Sequence, residues 1–190
     1  MKPETGWMTA TETAKLAASD GASPSQFGFS VAIDDTTVVV GAWRDSRRGA
    51  AYVFVKPETG WATTTEVAKL TASDGETFDQ FAISVAIRGG TVVVGDWNDD
   101  AERGSAYVFV KPETGWVTAI ESSKLTASDG VSADHFGTSV DLNGDTVVAG
   151  ASGDDSARGS AYVFGSVQPP AAPRSPLDRS RRSNPRASLR

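Results

Sequence analysis

The residues able to do chemistry recur three times. Asp45 precedes Arg48-Gly49, Asp99-Asp100 precede Arg103-Gly104, and Asp154-Asp155 precede Arg158-Gly159. With Glu102 these are six carboxylates on equivalent loops, a set able to gather cations or basic ligands. The same spacing also suits an Asp–Arg pair that closes each loop, with glycine in the tight turn. Arginine in every copy favours loop closure. Trp43 and Trp97 stand just ahead of two of these loops. They are the aromatic side chains best placed to meet a sugar or peptide, though a place at the core edge is the favoured reading.

Catalytic constellations are sparse. The single histidine, His135, lies beside Asp134 with no activated nucleophile in its motif. Gly28-Phe29-Ser30-Val31-Ala32 lacks the second glycine of a nucleophile elbow, and its counterpart Gly137-Thr138-Ser139 sits in a strand pattern. There is no glycine-rich phosphate loop and no HExxH pair. Cysteine is absent, so disulfides and thiolate metal sites are excluded.

These loops are spaced by a repeat. KPETGW occurs at Lys2–Trp7, Lys56–Trp61 and Lys111–Trp116, a period of roughly 54 residues. Within each period come FGFSVAI, FAISVAI or FGTSVDL, then TTVVVGAW, GTVVVGDW or DTVVAGAS, then GAAYVFV, GSAYVFV or GSAYVFG. A Thr-rich stretch ending AKLAASDG, AKLTASDG or SKLTASDG completes the unit. Short runs of Val, Ile, Thr, Tyr and Phe between Gly, Asp and Asn are strand chemistry. The Thr-rich stretch reads as a fourth strand. The Ser-Asp-Gly segments read as turns, in which Asp bonds the backbone two residues on.

Val38-Val39-Val40 and Val92-Val93-Val94 are unbroken apolar runs, so both faces of their sheets must be covered. No convincing amphipathic helix is available to cover them. Sheet must stack on sheet in series. The fold expected is all-β, a β-propeller-type array of about three four-stranded antiparallel blades, a partial propeller. The units fall at about 1–16, 17–70, 71–125 and 126–164, followed by a disordered basic Pro/Arg/Ser-rich tail at 165–190.

Phe27-Gly28 with Val40-Gly41-Ala42, and Phe136-Gly137 with Ala149-Gly150-Ala151, resemble the FG-GAP repeat of integrin alpha-chain propellers. The wording KLTASDG, SVAI, VVVGA and GSAYVF is closer to FG-GAP-like repeats of bacterial secreted and surface proteins. The chain departs from the pattern at Phe81-Ala82 and Gly95-Asp96. Trp43, Trp97 and Ser152 replace the proline of GAP. The resemblance implies a non-catalytic recognition or adhesion module, with protein or glycan ligands at the loop face and an extracellular or cell-surface location. It also implies Ca2+ on the hairpin between the first two strands. Only the third copy keeps the spacing, with Asp141, Asn143 and Asp145; the competing reading there is a tight Asn-Gly turn. The ligand face expected is the loops Trp43–Arg48, Trp97–Arg103 and Ser152–Arg158, with Trp43, Asp45, Trp97, Asp99, Asp100, Asp154 and Asp155 as the contact residues.

The net charge of −6 conceals an acidic body and a basic tail, and an acidic body argues against nucleic acid. No apolar run reaches the ~20 residues of a membrane helix. Met1 takes the place of Val55 and Val110, so the first unit starts mid-repeat. The expectation is a piece of a longer repeat protein, with open end blades that favour self-association. Two other readings stand beside it: an accessory carbohydrate-binding or hydrolytic propeller, and a non-functional gene fragment.

Overall fold

A computed structural model of the chain describes residues 11–165. Residues 1–10 of the unit expected at about 1–16, and 166–190 of the tail expected at 165–190, lie outside the described residues. The first blade contains β1 (Ser30–Asp34), β2 (Thr37–Ala42), β3 (Ala50–Val55) and β4 (Ala68–Thr71). The second contains β5 (Ser84–Arg88), β6 (Thr91–Asp96) and β7 (Ser105–Val110). Two short strands follow, β8 (Ala119–Ile120) and β9 (Ser123–Leu125), of which β9 closes the second blade. The third has β10 (Phe136–Asn143), β11 (Thr146–Ala151) and β12 (Ser160–Phe164). Within each blade consecutive strands pair antiparallel, as expected. The chain is all-β, a partial propeller of three blades.

The valine runs behave as their composition demands. Val92 and Val94 pack toward the first blade with Val39, Val53 and Leu70. Val93, between them, packs toward the third blade with Val108, Phe136 and Val147. Successive side chains leave opposite faces of a strand. An apolar residue at every position is therefore the signature of a sheet buried on both sides.

The third blade has three strands among the described residues, as the reading of Phe136–Phe164 as three strands without a fourth expects. One sequence expectation needs correction. The Thr-rich stretch is not a strand along its length. Only Ala68–Thr71 and Ser123–Leu125 pair with their own blades. The segment ahead of them crosses to the preceding unit, where β8 pairs parallel with β4 and Thr64 bridges Leu16. Its threonines serve as acceptors rather than as sheet formers: Lys15 N–H donates to Thr63 Oγ1 at 3.3 Å and Lys69 N–H to Thr118 Oγ1 at 3.2 Å.

The blades are joined by fittings that repeat. Ser30 Oγ donates to the Ala82 carbonyl and Ser84 Oγ to the Gly137 carbonyl, both at 2.8 Å. Gly49 bridges Phe81 and Gly104 bridges Phe136. The approach is so close that a Cβ on Gly95 would collide with the Gly137 carbonyl and with Ser84. At the outer edge Glu66 accepts the Ser19 N–H at 2.9 Å and hydroxyl at 2.6 Å. Glu121 does the same to Ser73 at the same distances.

Candidate functional site

The loop between the second and third strands of each blade is an unusual turn. Ser46 and Arg47, Asp100 to Glu102, and Asp155 to Ala157 all have positive φ. Consecutive non-glycine residues in the left-handed region cost energy and persist only where the surroundings over-determine them. Backbone bonds close the turns, from Gly49 N–H to the Asp45 carbonyl at 2.8 Å and from Gly104 N–H to the Asp99 carbonyl at 3.0 Å.

The carboxylates expected at the ligand face are mostly engaged. Asp45 is buried and accepts from Lys69 Nζ at 2.7 Å. Lys69 also reaches Asp20 at 2.6 Å, and the Tyr52 hydroxyl donates to Asp20 at 2.8 Å. The second unit repeats this, with Lys124 between Asp99 at 2.7 Å and Asp74 at 2.6 Å, and Tyr107 donating to Asp74 at 3.0 Å. Lys69 is pushed up because these acceptors outweigh its burial. Asp20 is held down by its bond from Lys69, and Asp74 by Lys124 against a desolvation that alone would raise it. Asp100 and Asp155 pair with Arg103 at 3.2 Å and Arg158 at 3.1 Å. Asp154 accepts from the Tyr162 hydroxyl at 3.1 Å. Each carboxylate thus serves its own repeat, and the set is not drawn together.

The hairpin expected to hold calcium places Asp141 and Asn143 two residues apart on β10, with Asp145 in the turn. Asp141 Oδ1 accepts the Leu142 N–H at 2.8 Å. Two carboxylates and one amide are three side-chain groups toward the six to eight oxygens that a calcium ion takes. Among the described residues no group of three His, Cys, Asp or Glu converges on a metal position.

The tryptophans diverge. Trp97 meets His135 edge to face at 4.6 Å, and His135 Nε2 lies 3.2 Å from Glu102. His135 therefore closes the space between the second and third blades at this level. Gln80 holds the same place between the first and second blades, and there the space stays open. A cleft of about 610 Å³ is lined by Trp43, Arg44, Arg47, Phe78, Gln80 and Asn98, with Pro24 and Asp79 at its margin.

One wall is Trp43, with the Arg44 guanidinium stacked 4.5 Å from its ring centroid and Phe29 edge-on at 5.9 Å. Its indole N–H is buried without a hydrogen-bond partner. The other wall is Phe78, 70% exposed and held at φ +84°. Its counterpart in the third unit, Ala133, is held at φ +70°, so the left-handed turn belongs to the repeat and the exposed ring is what this copy adds. Phe78 N–H donates to the Arg47 carbonyl at 2.7 Å, which ties the two walls together. Among the described residues neither Arg44 nor Arg47 is held in an ion pair.

Asp96 sits under this cleft at the end of β6, where the other blades have Ala42 and Ala151. Its Oδ1 accepts the backbone N–H groups of Gln80 at 3.0 Å and Asn98 at 3.1 Å. Asn98 Nδ2 in turn donates to the Phe78 carbonyl at 2.9 Å. Burial pushes the Asp96 carboxyl up to about 7, with Asp79 and Asp99 adding to it against the two N–H bonds. Sequence reasoning singled out Trp43 and the loop Trp43–Arg48, which holds Arg44 and Arg47, but passed over Phe78 and Gln80. The substitution of His135 by Gln80 between copies was the available signal.

A family model for the FG-GAP repeat matches the chain at residues 10–54, 64–109 and 120–164. A search of curated proteins finds no match. Each match holds the first three strands of one blade with the Thr-rich stretch ahead of them, and together they cover most of the sequence. The chain belongs to the FG-GAP repeat family.

Proposed function

We propose that this protein is a non-catalytic recognition module of a secreted or cell-surface protein, and that its ligand seats in the Trp43–Phe78 cleft. The observation that carries this reading is the exposed ring of Phe78 across from Trp43. The third unit makes the same left-handed turn with Ala133, so the turn does not need an aromatic there, and a large apolar ring left in water beside a cleft marks an interaction surface. The polar groups supply the ligand's chemistry. Two guanidiniums outside ion pairs suit a carboxylate, the Gln80 and Asn98 amides suit hydroxyls, and the aromatic walls suit a ring. An acidic glycan, with carboxylates and hydroxyls on sugar rings, fits this combination better than a neutral one.

Hydrolysis finds less support. The His135 ring is occupied by Trp97 and Glu102, away from the cleft. Calorimetry with uronic-acid oligomers, neutral oligosaccharides and acidic peptides tests the reading. Binding of the uronic-acid oligomers, lost at least tenfold in Arg44→Ala and Arg47→Ala and unaccompanied by cleavage, is the expected result. Equal or absent binding of all three classes sinks it, and product release points to the hydrolytic alternative.

A further inference from the structure

The two ends of the described array carry the two halves of one joint. Within the interior joint Val85 and Ile87 are 9% and 8% exposed, whereas their counterparts on the first blade, Val31 and Ile33, are 66% and 65% exposed. On the opposite face Val108 is fully buried against the third blade, whereas its counterpart Val163 is 69% exposed. Val148, counterpart of the buried Val93, is exposed beside it. These valines and isoleucines match from copy to copy, and their neighbours differ. Exposed aliphatic side chains grouped on one sheet face mark an interaction surface.

The polar fittings are matched as well. Ser139 stands where Ser30 and Ser84 donate to the next blade, and Gly28 stands where Ala82 and Gly137 offer the accepting carbonyl. At the outer edge Glu12 and Ser128 occupy the places of the Glu66–Ser19 and Glu121–Ser73 clasps.

We propose that a second copy of this chain docks head to tail, its Val148–Val163 face on the Val31–Ile33 face, remaking the interior joint between chains. Continuity with a joint built twice within one chain selects this occupant. The surface that fits the third blade's outer face is the one the first blade shows. Such a contact is heterologous: each copy uses one face and keeps the other for a further copy. Two three-bladed chains joined at both ends would close a ring. One residue opposes the fit. Asp141 stands where Ala32 and Ala86 pack in the interior joints, so a carboxylate is drawn into the new one.

The test uses the full chain in sedimentation equilibrium, with Ile33→Asp and Val163→Asp as variants. Both positions are exposed, so aspartate leaves folding intact, checked by matching circular dichroism. Wild type is expected above the monomer mass of 19.8 kDa. Each variant alone is expected at the monomer mass, and an equimolar mixture is expected to restore one-to-one dimers. A monomeric wild type, association that survives either single variant, or a mixture that stays monomeric overturns the proposal. Asp141→Ala is expected to tighten association at least fivefold, and unchanged or weaker association counts against the register. The result is independent of whether any glycan binds the cleft.

Discussion

Asp96 Oδ1 accepts the backbone N–H of Gln80 at 3.0 Å while the second oxygen of the same carboxyl is buried with no partner. The two other blades manage this position with alanine. There the N–H groups of Arg44 and Gly153, counterparts of Asn98, bond the backbone carbonyls of Ser25 at 3.2 Å and Asp134 at 2.9 Å. The buried acid is therefore not required by the fold. Asp96→Asn keeps an acceptor for both N–H groups and removes the charge. It should stabilise the protein by about 2 kcal/mol at pH 8 and by far less at pH 4, read from denaturant midpoints. Equal effects at the two pH values would dissociate the gain from the charge.

The same residue sets a pH dependence opposite in sign to that of an ordinary aspartate. The folded carboxyl keeps its proton to about pH 7, and the unfolded one releases it near 3.8. Between those values the folded state binds more protons, so stability falls as pH rises from about 4 to 7 and is level above. The range is at most about 4 kcal/mol. Asp20 and Asp74, held low in the fold, contribute stability above their unfolded pKa that is lost as pH falls below it. Thermal melts of wild type should therefore peak near pH 4–5. A profile that climbs steadily to pH 7 would contradict the assignment.

Lys124 is the sole countercharge bonded to the buried Asp99 among the described residues, at 2.7 Å. Lys124→Met removes the ammonium but keeps the packing volume. It strands Asp99, whose remaining side-chain donor is the Ser105 hydroxyl at 2.5 Å. A loss of about 3 kcal/mol is expected, with much of it recovered in the Lys124→Met/Asp99→Asn double variant. Additive losses in that cycle would show that the two do not act as a pair.

Much of the architecture was legible because it is written in every copy. Val92-Val93-Val94 admits no arrangement with a wet face, and that alone demands stacked sheets. The Thr-rich stretch was misread because its threonines act on another unit: Thr118 accepts from Lys69, some fifty residues earlier. No local pattern records such a contact. The cleft was half legible. Trp43 stood out, but the left-handed backbone at Arg47 and Phe78 has no sequence signature outside glycine and asparagine. Asp45 looked like a ligand because its partner, Lys69, is a strand away.

Gly95 lies where the second and third blades come closest. An added methyl would meet the Gly137 carbonyl and the Ser84 hydroxyl, and backbone there cannot withdraw without parting the blades. Gly95→Ala should cost more than 3 kcal/mol by separating that joint. Gly150→Ala, at the matching place on the third blade, meets Ser139 of its own blade, chiefly the hydroxyl, and no carbonyl of a neighbouring blade among the nearest described atoms. It should fold with a change under about 1 kcal/mol. Its penalty should appear instead in self-association, where the Gly28 carbonyl of a second copy would arrive. Similar destabilisation by both substitutions would argue that the close approach is not what demands glycine.

Gln80→His rewrites the open cleft as its closed neighbour. In the third unit His135 fills this position and stacks on Trp97 at 4.6 Å. Histidine at 80 can reach Trp43 in the same way, displacing the space a ligand would use. The expected outcome is a protein of unchanged or slightly higher melting temperature, within about 3 °C, that has lost at least tenfold in affinity for uronic-acid oligomers. Folding and binding are thereby separated, which truncating Trp43 would not achieve because Phe29 packs on it. Retained affinity in a well-folded Gln80→His variant, with the imidazole seen against Trp43, would place the ligand elsewhere on the loop face.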